Sequence, residues 1–340
     1  MGVVGAGKIT IKRHLHSLTR IKNVELVAIC DKQISLAKEA GTKLGVPAVF
    51  DDLDEMLSKE SLDAVDICTP PLTHSPLAIK AMSRGCHVLV EKPMATSIKD
   101  ADAMIEAAKK NDVRLGVIHQ NLFNPAILKA KQLVNSGALG KLIHVELRIS
   151  ESVNTNFCSN KDHWSHKLPG GIFYEIMPHP VYLSQFFLED VKPVAVVARK
   201  LSDREYMKND ELRVLLEGKN GLGAIVASCN STIYGDTLDI FGSKKALHAD
   251  LTGRSIIVYE QNARSNLSIG LNNVRLSAQL LKVLGSTFVD FAKITKGRAS
   301  SHYLAINQFV QGILNDTEFT PSAEQGRATV SLLDQICTQI

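Results

Sequence analysis

Lys92 is the residue of this chain best placed for acid–base chemistry. It follows the apolar run His87-Val88-Leu89-Val90-Glu91 and precedes Pro93, so an amine leaves the end of a strand beside a carboxylate. Open α/β sheets bind their ligands beyond the carboxyl ends of the strands. Pro93 has a fixed φ and biases the residue before it toward an extended backbone, which aims the lysine. As an ammonium it would polarise an oxygen and stabilise alkoxide charge; as a free amine it would accept a proton. The plain alternative is a solvated lysine in a strand-to-helix loop, and two further features weigh against it.

The first is Val3-Val4-Gly5-Ala6-Gly7-Lys8-Ile9-Thr10, which reads as a strand, a glycine turn and a helix start. Gly5 permits the tight turn, and Gly7 lets the backbone approach a pyrophosphate resting on the amides of the helix N-terminus, Lys8 and Ile9 among them. Thr10 stands where the third glycine of GxGxxG is usual. Two glycines alone are a weak signal. The next strand, Val24 to Cys30, strengthens it by delivering Asp31 close to the spacing of about 20 residues expected for a ribose-binding acid. A carboxylate there accepts from a 2′-hydroxyl and repels a 2′-phosphate, so NAD is preferred; the adjacent Lys32 leaves NADP open. Only four residues precede Gly5, so either the first strand is short or the native start lies upstream of Met1.

The second feature is Ala64-Val65-Asp66-Ile67-Cys68-Thr69-Pro70-Pro71-Leu72-Thr73-His74. The strand Ala64 to Cys68 runs into two prolines that hold a loop extended at the same edge of the sheet, where Thr69 offers a hydroxyl and Pro70 a flat apolar surface. A helix from Ser75 to Arg84 ends at the C-cap Gly85. Alternating β-branched runs and amphipathic stretches such as Ile98 to Lys110 continue to Val117 and imply a parallel sheet with crossover helices.

After His119-Gln120 the pattern changes. Asn124-Pro125 opens a helix through Asn135, and Gly137 and Gly140 introduce a long alternating strand, Lys141 to Ser150. Further strands are expected at Pro193 to Lys200, Glu211 to Glu217, Gly223 to Cys229, Leu238 to Gly242 and Ile256 to Tyr259, with Gly218-Lys219-Asn220-Gly221 as a hairpin turn. The reading is therefore an N-terminal Rossmann doubly wound parallel sheet in residues 1–120. Residues 121–340 form a C-terminal α+β domain with a mainly antiparallel open sheet.

The glycine turn, Asp31, Thr69-Pro70 with His74, Glu91-Lys92-Pro93, and Gly170-Gly171 leading to Glu175 and His179 together resemble the Gfo/Idh/MocA family, the relatives of glucose-fructose oxidoreductase and inositol dehydrogenase. The resemblance covers nearly the whole chain, including a tail Ser322-Ala323-Glu324-Gln325-Gly326-Arg327 similar to the family's closing helix. Its most specific element is Thr69-Pro70 followed by Glu91-Lys92-Pro93. It implies hydride transfer between a nicotinamide and a secondary alcohol of a sugar, sugar nucleotide or polyol. It also implies a cofactor contact for Thr69, Pro70, His74, Glu91 and Lys92, and a homodimer or homotetramer built through the C-terminal sheet.

In the family's glycine-rich helix an Asp and a His four residues apart face the nicotinamide. Here Glu175 replaces the Asp, and Pro178 and Pro180 flank His179. A proline deep in a helix costs about 3 kcal/mol, so the helix is expected to kink or restart with Pro178 in its first turn. Glu175 then need not touch His179. Either His179 or Lys92 can be the base, with the other polarising the same oxygen. Trp164 stacks on a sugar face or fills a core. His163-x-x-His166 lacks a third zinc ligand at a recognisable spacing, and no metal is expected. Asn121 stands where many relatives carry an arginine.

Composition bounds the rest. At 340 residues the chain can bury two cores. It has no apolar run of membrane-spanning length, no signal-peptide pattern, and a net charge of only +4 from scattered basic residues. A cytoplasmic protein with no membrane or nucleic-acid partner is expected. The six cysteines show no CxxC spacing and read as reduced core residues. Two other functional classes stand beside the dehydrogenase: an NAD-dependent glycosidase using transient oxidation, and a non-catalytic dinucleotide-responsive binding protein. A pure sensor needs neither Lys92 nor His179.

Overall fold

The computed structural model describes residues 1–260, 265–295 and 300–340. It divides into two compact units: Met1–Gln120 with Lys296–Ser331, and Asn121–Thr295 with Leu332–Ile340. The stretch read as running unbroken from 121 to 340 is thus interrupted, because 296–331 returns to the first unit.

The first unit holds a six-stranded parallel sheet. Its strands are β1 (Gly2–Val4), β2 (Ala28–Cys30), β3 (Ala48–Phe50), β4 (Ala64–Ile67), β5 (His87–Val90) and β6 (Leu115–Val117), in the order β3-β2-β1-β4-β5-β6. The order reverses between β1 and β4, and a ligand crevice opens beyond the carboxyl ends of strands at such a switch point. Valine- and isoleucine-rich strands suit a parallel sheet buried on both faces; β1, β2, β4 and β6 are buried throughout. β2 is shorter than the run Val24 to Cys30 suggests, since its partner β1 offers only Gly2, Val3 and Val4 for pairing.

The crossover helices start and stop where their chemistry allows. Ser97 caps Ile98–Lys110 by accepting from the Asp100 amide at 3.1 Å. Near the C-terminus, Ser322 and Gln325 form a reciprocal capping box at the start of Ala323–Cys337: the Ser322 amide donates to Gln325 Oε1, and the Gln325 amide to Ser322 Oγ. The helix expected over Ser75–Arg84 runs one residue earlier, His74–Ser83.

The second unit holds a seven-stranded sheet. Its strands are β7 (Leu142–Ser152), β8 (Lys192–Arg199), β9 (Glu211–Gly218), β10 (Gly221–Ser231), β11 (Gly235–Gly242), β12 (Ala246–Asp250) and β13 (Ser255–Tyr259). The order is β13-β12-β11-β7-β10-β9-β8. All pairs are antiparallel except β7 with β10. The Gly218–Gly221 turn joins β9 to β10. β12, Ala-Leu-His-Ala-Asp, was not expected: it has no β-branched residue to announce it. One sheet face packs Val145, Leu147, Ile149, Leu212, Val214, Leu216 and Ile225 into a core with Phe173, Val181 and Leu188 of the helices.

Candidate active site

At the end of β1 the chain turns through Gly5 at φ +94°, and a Cβ there would lie 2.9 Å from the Cys68 carbonyl. Only glycine allows β1 and β4 to approach this closely. At Gly7 a Cβ would meet nothing within 4 Å, so the turn presents open backbone. Asp31 braces it: one carboxylate oxygen accepts from the Ala6 amide at 2.7 Å, the other from the Gln33 amide at 2.8 Å. Each oxygen keeps a second lone pair for a ribose hydroxyl. The helix beyond the turn is widened to a π-turn over Thr10–His14, closed by the Leu15 amide donating to the Thr10 carbonyl. Thr10, in place of the third glycine, is fully buried and its hydroxyl has no hydrogen-bond partner. Glycine turn, open backbone and acid fit the pyrophosphate and ribose of a dinucleotide.

The turn after β5 is held by two histidines. His14, fully buried, reaches Asp66 Oδ2 with Nδ1 and Glu91 Oε1 with Nε2, both at 2.7 Å. The other Glu91 oxygen accepts from the Lys92 amide at 3.0 Å. His74, also buried, contacts the Pro93 carbonyl with Nδ1 at 2.9 Å and the Thr69 carbonyl with Nε2 at 2.7 Å. Both its ring nitrogens face backbone carbonyls, so His74 ties the Thr69-Pro70 loop to the Lys92-Pro93 turn. The Thr73 hydroxyl lies 2.8 Å from both Thr69 Oγ1 and the Pro70 carbonyl, which draws the loop together.

Electrostatics around this turn are strongly biased. Burial opposes charge on His14, yet the Asp66 charge and the Cys68 sulfur outweigh it and raise its pKa well above the ordinary range. Burial likewise works against the Glu91 carboxylate, but the His14 hydrogen bond and charge hold it down at about 2. Burial pushes the Cys68 thiol up to about 12 and His119 and His302 down to about 3, so all three stay neutral.

In the second unit the helix expected to carry Glu175 and His179 stops at Ile176 and restarts as Pro178–Leu188, with Pro178 in its first turn. Gly171, at φ +56°, begins the first of these helices. His179 Nδ1 lies 2.9 Å from the Tyr182 hydroxyl, which also accepts from the Asn121 amide at 3.1 Å. A ring that donated Nδ1–H to Tyr182 would have Nε2 as its acceptor nitrogen. Glu175 is half-buried in the preceding helix Ile172–Ile176. Trp164 packs partly buried against the core, 5.0 Å from the His163 ring. Among the described residues, neither His163 nor His166 belongs to a group able to hold a metal ion.

Residues 1–119 match the family model for the oxidoreductase family with an NAD-binding Rossmann fold, and 127–248 match the GFO/IDH/MocA C-terminal domain. The chain is 30% identical to myo-inositol 2-dehydrogenase of Thermotoga maritima over 76% of its own length and 77% of the relative's. The chain belongs to the Gfo/Idh/MocA family. Another member, the NAD-dependent scyllo-inositol 2-dehydrogenase of Bacillus subtilis, is 25% identical over 72% of each chain. Among solved structures, the WlbA dehydrogenase of Bordetella pertussis, in complex with NADH and UDP-GlcNAcA, superposes with a TM-score of 0.81 at 22% identity, covering 98% of this chain and 93% of that one. This Gfo/Idh/MocA member is an NAD(P)-dependent oxidoreductase that acts on hydroxyl groups.

Two features of this family member escaped the sequence reading. Asp66 sits inside the buried run Ala64-Val65-Asp66-Ile67, and a buried carboxylate demands a partner; His14 in the first helix is that partner. Tyr182 lies three residues beyond His179 on a helix, a spacing that places side chains together. No helix among the described residues is long and apolar enough to cross a membrane, and all six cysteines are free and buried.

Proposed function

We propose that this protein is an NAD-preferring dehydrogenase of a secondary alcohol on a sugar, polyol or sugar nucleotide, with Lys92 and His179 as its proton-handling residues. The observation that carries the reading is the Lys92 turn: an amine at the exit of β5, with its Glu91 and Pro93 neighbours each held by a buried histidine. Myo-inositol and UDP-linked sugar acids, named with its relatives, belong to the proposed substrate class.

Bound nicotinamide would supply the hydride acceptor or donor. Lys92 binds the reacting oxygen and offsets negative charge on it, a contribution of order 10²-fold or more in such sites. His179 takes the hydroxyl proton at Nε2 while Tyr182 holds Nδ1, and exchange of these two roles between Lys92 and His179 is the variant reading. Glu175 and Trp164 line the substrate side in this proposal. Asn121 offers its amide to Tyr182 and brings no cation, so an anionic substrate group would have to be met elsewhere. Asp31 favours a 2′-hydroxyl over a 2′-phosphate.

The outward face of the second sheet, with Val197, Leu215 and Leu222 all more than half exposed, is proposed to pair copies of the chain. Light scattering of the purified protein reads this directly, and a strict monomer would exclude it. The functional reading is tested by following reduced-nicotinamide absorbance with NAD or NADP and a panel of inositols, hexoses and UDP-sugars. Signal growth with one member supports it. Silence across the panel, with NAD shown to bind, would contradict it and favour glycoside cleavage or sensing.

A further inference from the structure

His14, Asp66, Glu91 and Cys68 form a buried ionisable cluster with His302 beside it, and no step of the proposed chemistry uses it. His14 comes from the π-turn, Asp66 and Cys68 from β4 and its exit, Glu91 from the exit of β5, and His302 from the helix Ser301–Asn315. The His302 ring lies 5.9 Å from that of His14. Two groupings, His14 with Glu91 and His302, and His14 with Asp66 and Cys68, have ligand atoms within 4.8 Å of one another. A proton and a metal ion are therefore competing explanations for the cluster.

Distance decides between them. Bonds of about 2.0–2.2 Å in a tetrahedral zinc site separate neighbouring ligand atoms by about 3.3 Å. Both His14 nitrogens are instead 2.7 Å from carboxylate oxygens, the spacing of charge-assisted hydrogen bonds. Ionised carboxylates only accept, so a ring bonded to one through each nitrogen must donate twice. Cys68 and His302 stay neutral, which leaves His14 as the group bonded to both carboxylates.

We propose that His14 is a positioning residue, an imidazolium that joins Asp66 to Glu91, fixes the Glu91 carboxylate on the Lys92 amide, and so sets where the Lys92 amine stands. The inference rests on the reading of Lys92 as a functional amine, but its test does not use turnover. An imidazolium buried between two carboxylates costs heavily to bury and repays this only when both bonds form. Removal of His14 leaves Asp66 and Glu91 as uncompensated neighbours that repel, and Glu91 swings away from the turn. Replacing Asp66 at the same time removes the excess charge.

The test has two parts on the full chain with NAD present. In histidine-labelled wild-type protein, nitrogen NMR should show one ring protonated on both nitrogens and unmoved at pH 8, lost only in His14→Gln. A neutral ring at that pH, or stoichiometric zinc in the purified protein, would overturn the proposal. Second, acetylation of Lys92 by a small neutral reagent is followed by peptide mass spectrometry in wild type, His14→Gln and His14→Gln/Asp66→Asn. The single variant should change the Lys92 rate by roughly tenfold, the scale of a small displacement of a reactive group, and the double variant should return to within about twofold. An unchanged rate in a folded His14→Gln protein, or equal changes in both variants, would contradict it. Should His14→Gln not fold, the wild-type spectrum and the double variant still decide. Normal turnover in Lys92→Met would instead remove the functional reading of Lys92 and leave these two results standing.

Discussion

The two units hold their candidate proton carriers by opposite means. In the first, Lys92 sits on a turn braced by buried charge, with His14 between two carboxylates and His74 bridging two loop carbonyls. In the second, His179 leans on the neutral hydroxyl of Tyr182, itself fixed by a backbone amide. A charge-braced turn is rigid but depends on every partner keeping its protonation state. A hydrogen bond to a neutral hydroxyl depends less on salt and loses less when it is removed. The salt sensitivity of these two braces should therefore belong to the first unit.

The largest expected effects come from the proton carriers themselves. Lys92→Met and His179→Gln should each lower turnover by a factor on the order of 100 or more, measured as reduced nicotinamide formed with the identified substrate. If only one does so, the two roles collapse onto that residue. Tyr182→Phe should cost about tenfold in kcat with NAD affinity unchanged, because it frees His179 Nδ1 without removing a charge. A loss as large as that of His179→Gln would mean the neutral brace matters as much as the charged one.

Acid should unfold the first unit before the second. The unfolded chain takes up protons on histidine below about pH 6.5, whereas folded His119 and His302 refuse them until about 3. Stability therefore falls as pH drops through that window. Glu91, held at about 2, adds a further loss between about 4.5 and 2. On the alkaline side the His14 contribution is complete below about 6.5 and disappears as pH rises through its raised value. Amide exchange resolved along the chain checks the order, and earlier acid opening of the second unit would break the contrast. The smallest effect is on cofactor choice: Asp31→Ser should weaken NAD and narrow its advantage over NADP by about tenfold, read from the two dissociation constants.

The sequence disclosed what is local in the chain. Gly5, Gly7, Asp31 and the Lys92-Pro93 turn each announce themselves within a few residues, because strand ends, glycine turns and proline loops are short-range features. The restart of the helix at Pro178 followed from proline's missing N–H alone. The cluster did not show itself, since His14 is 52 residues from Asp66 and 77 from Glu91 and only the strand order brings them together. β12 was missed for lack of β-branched residues, and the parallel β7–β10 pair because strand direction in a mixed sheet depends on connections that periodicity does not reveal. The bridging role of His74 went unread for a related reason: its partners are backbone carbonyls, which leave no mark in a sequence.

The most direct test of the account compares wild type and Lys92→Met for NAD affinity and single-turnover nicotinamide reduction with the substrate the panel identifies. The account predicts equal affinity and a reduction step slowed by about 100-fold or more. Equal affinity with an unchanged reduction rate would contradict it and leave Lys92 a bystander on a well-braced turn.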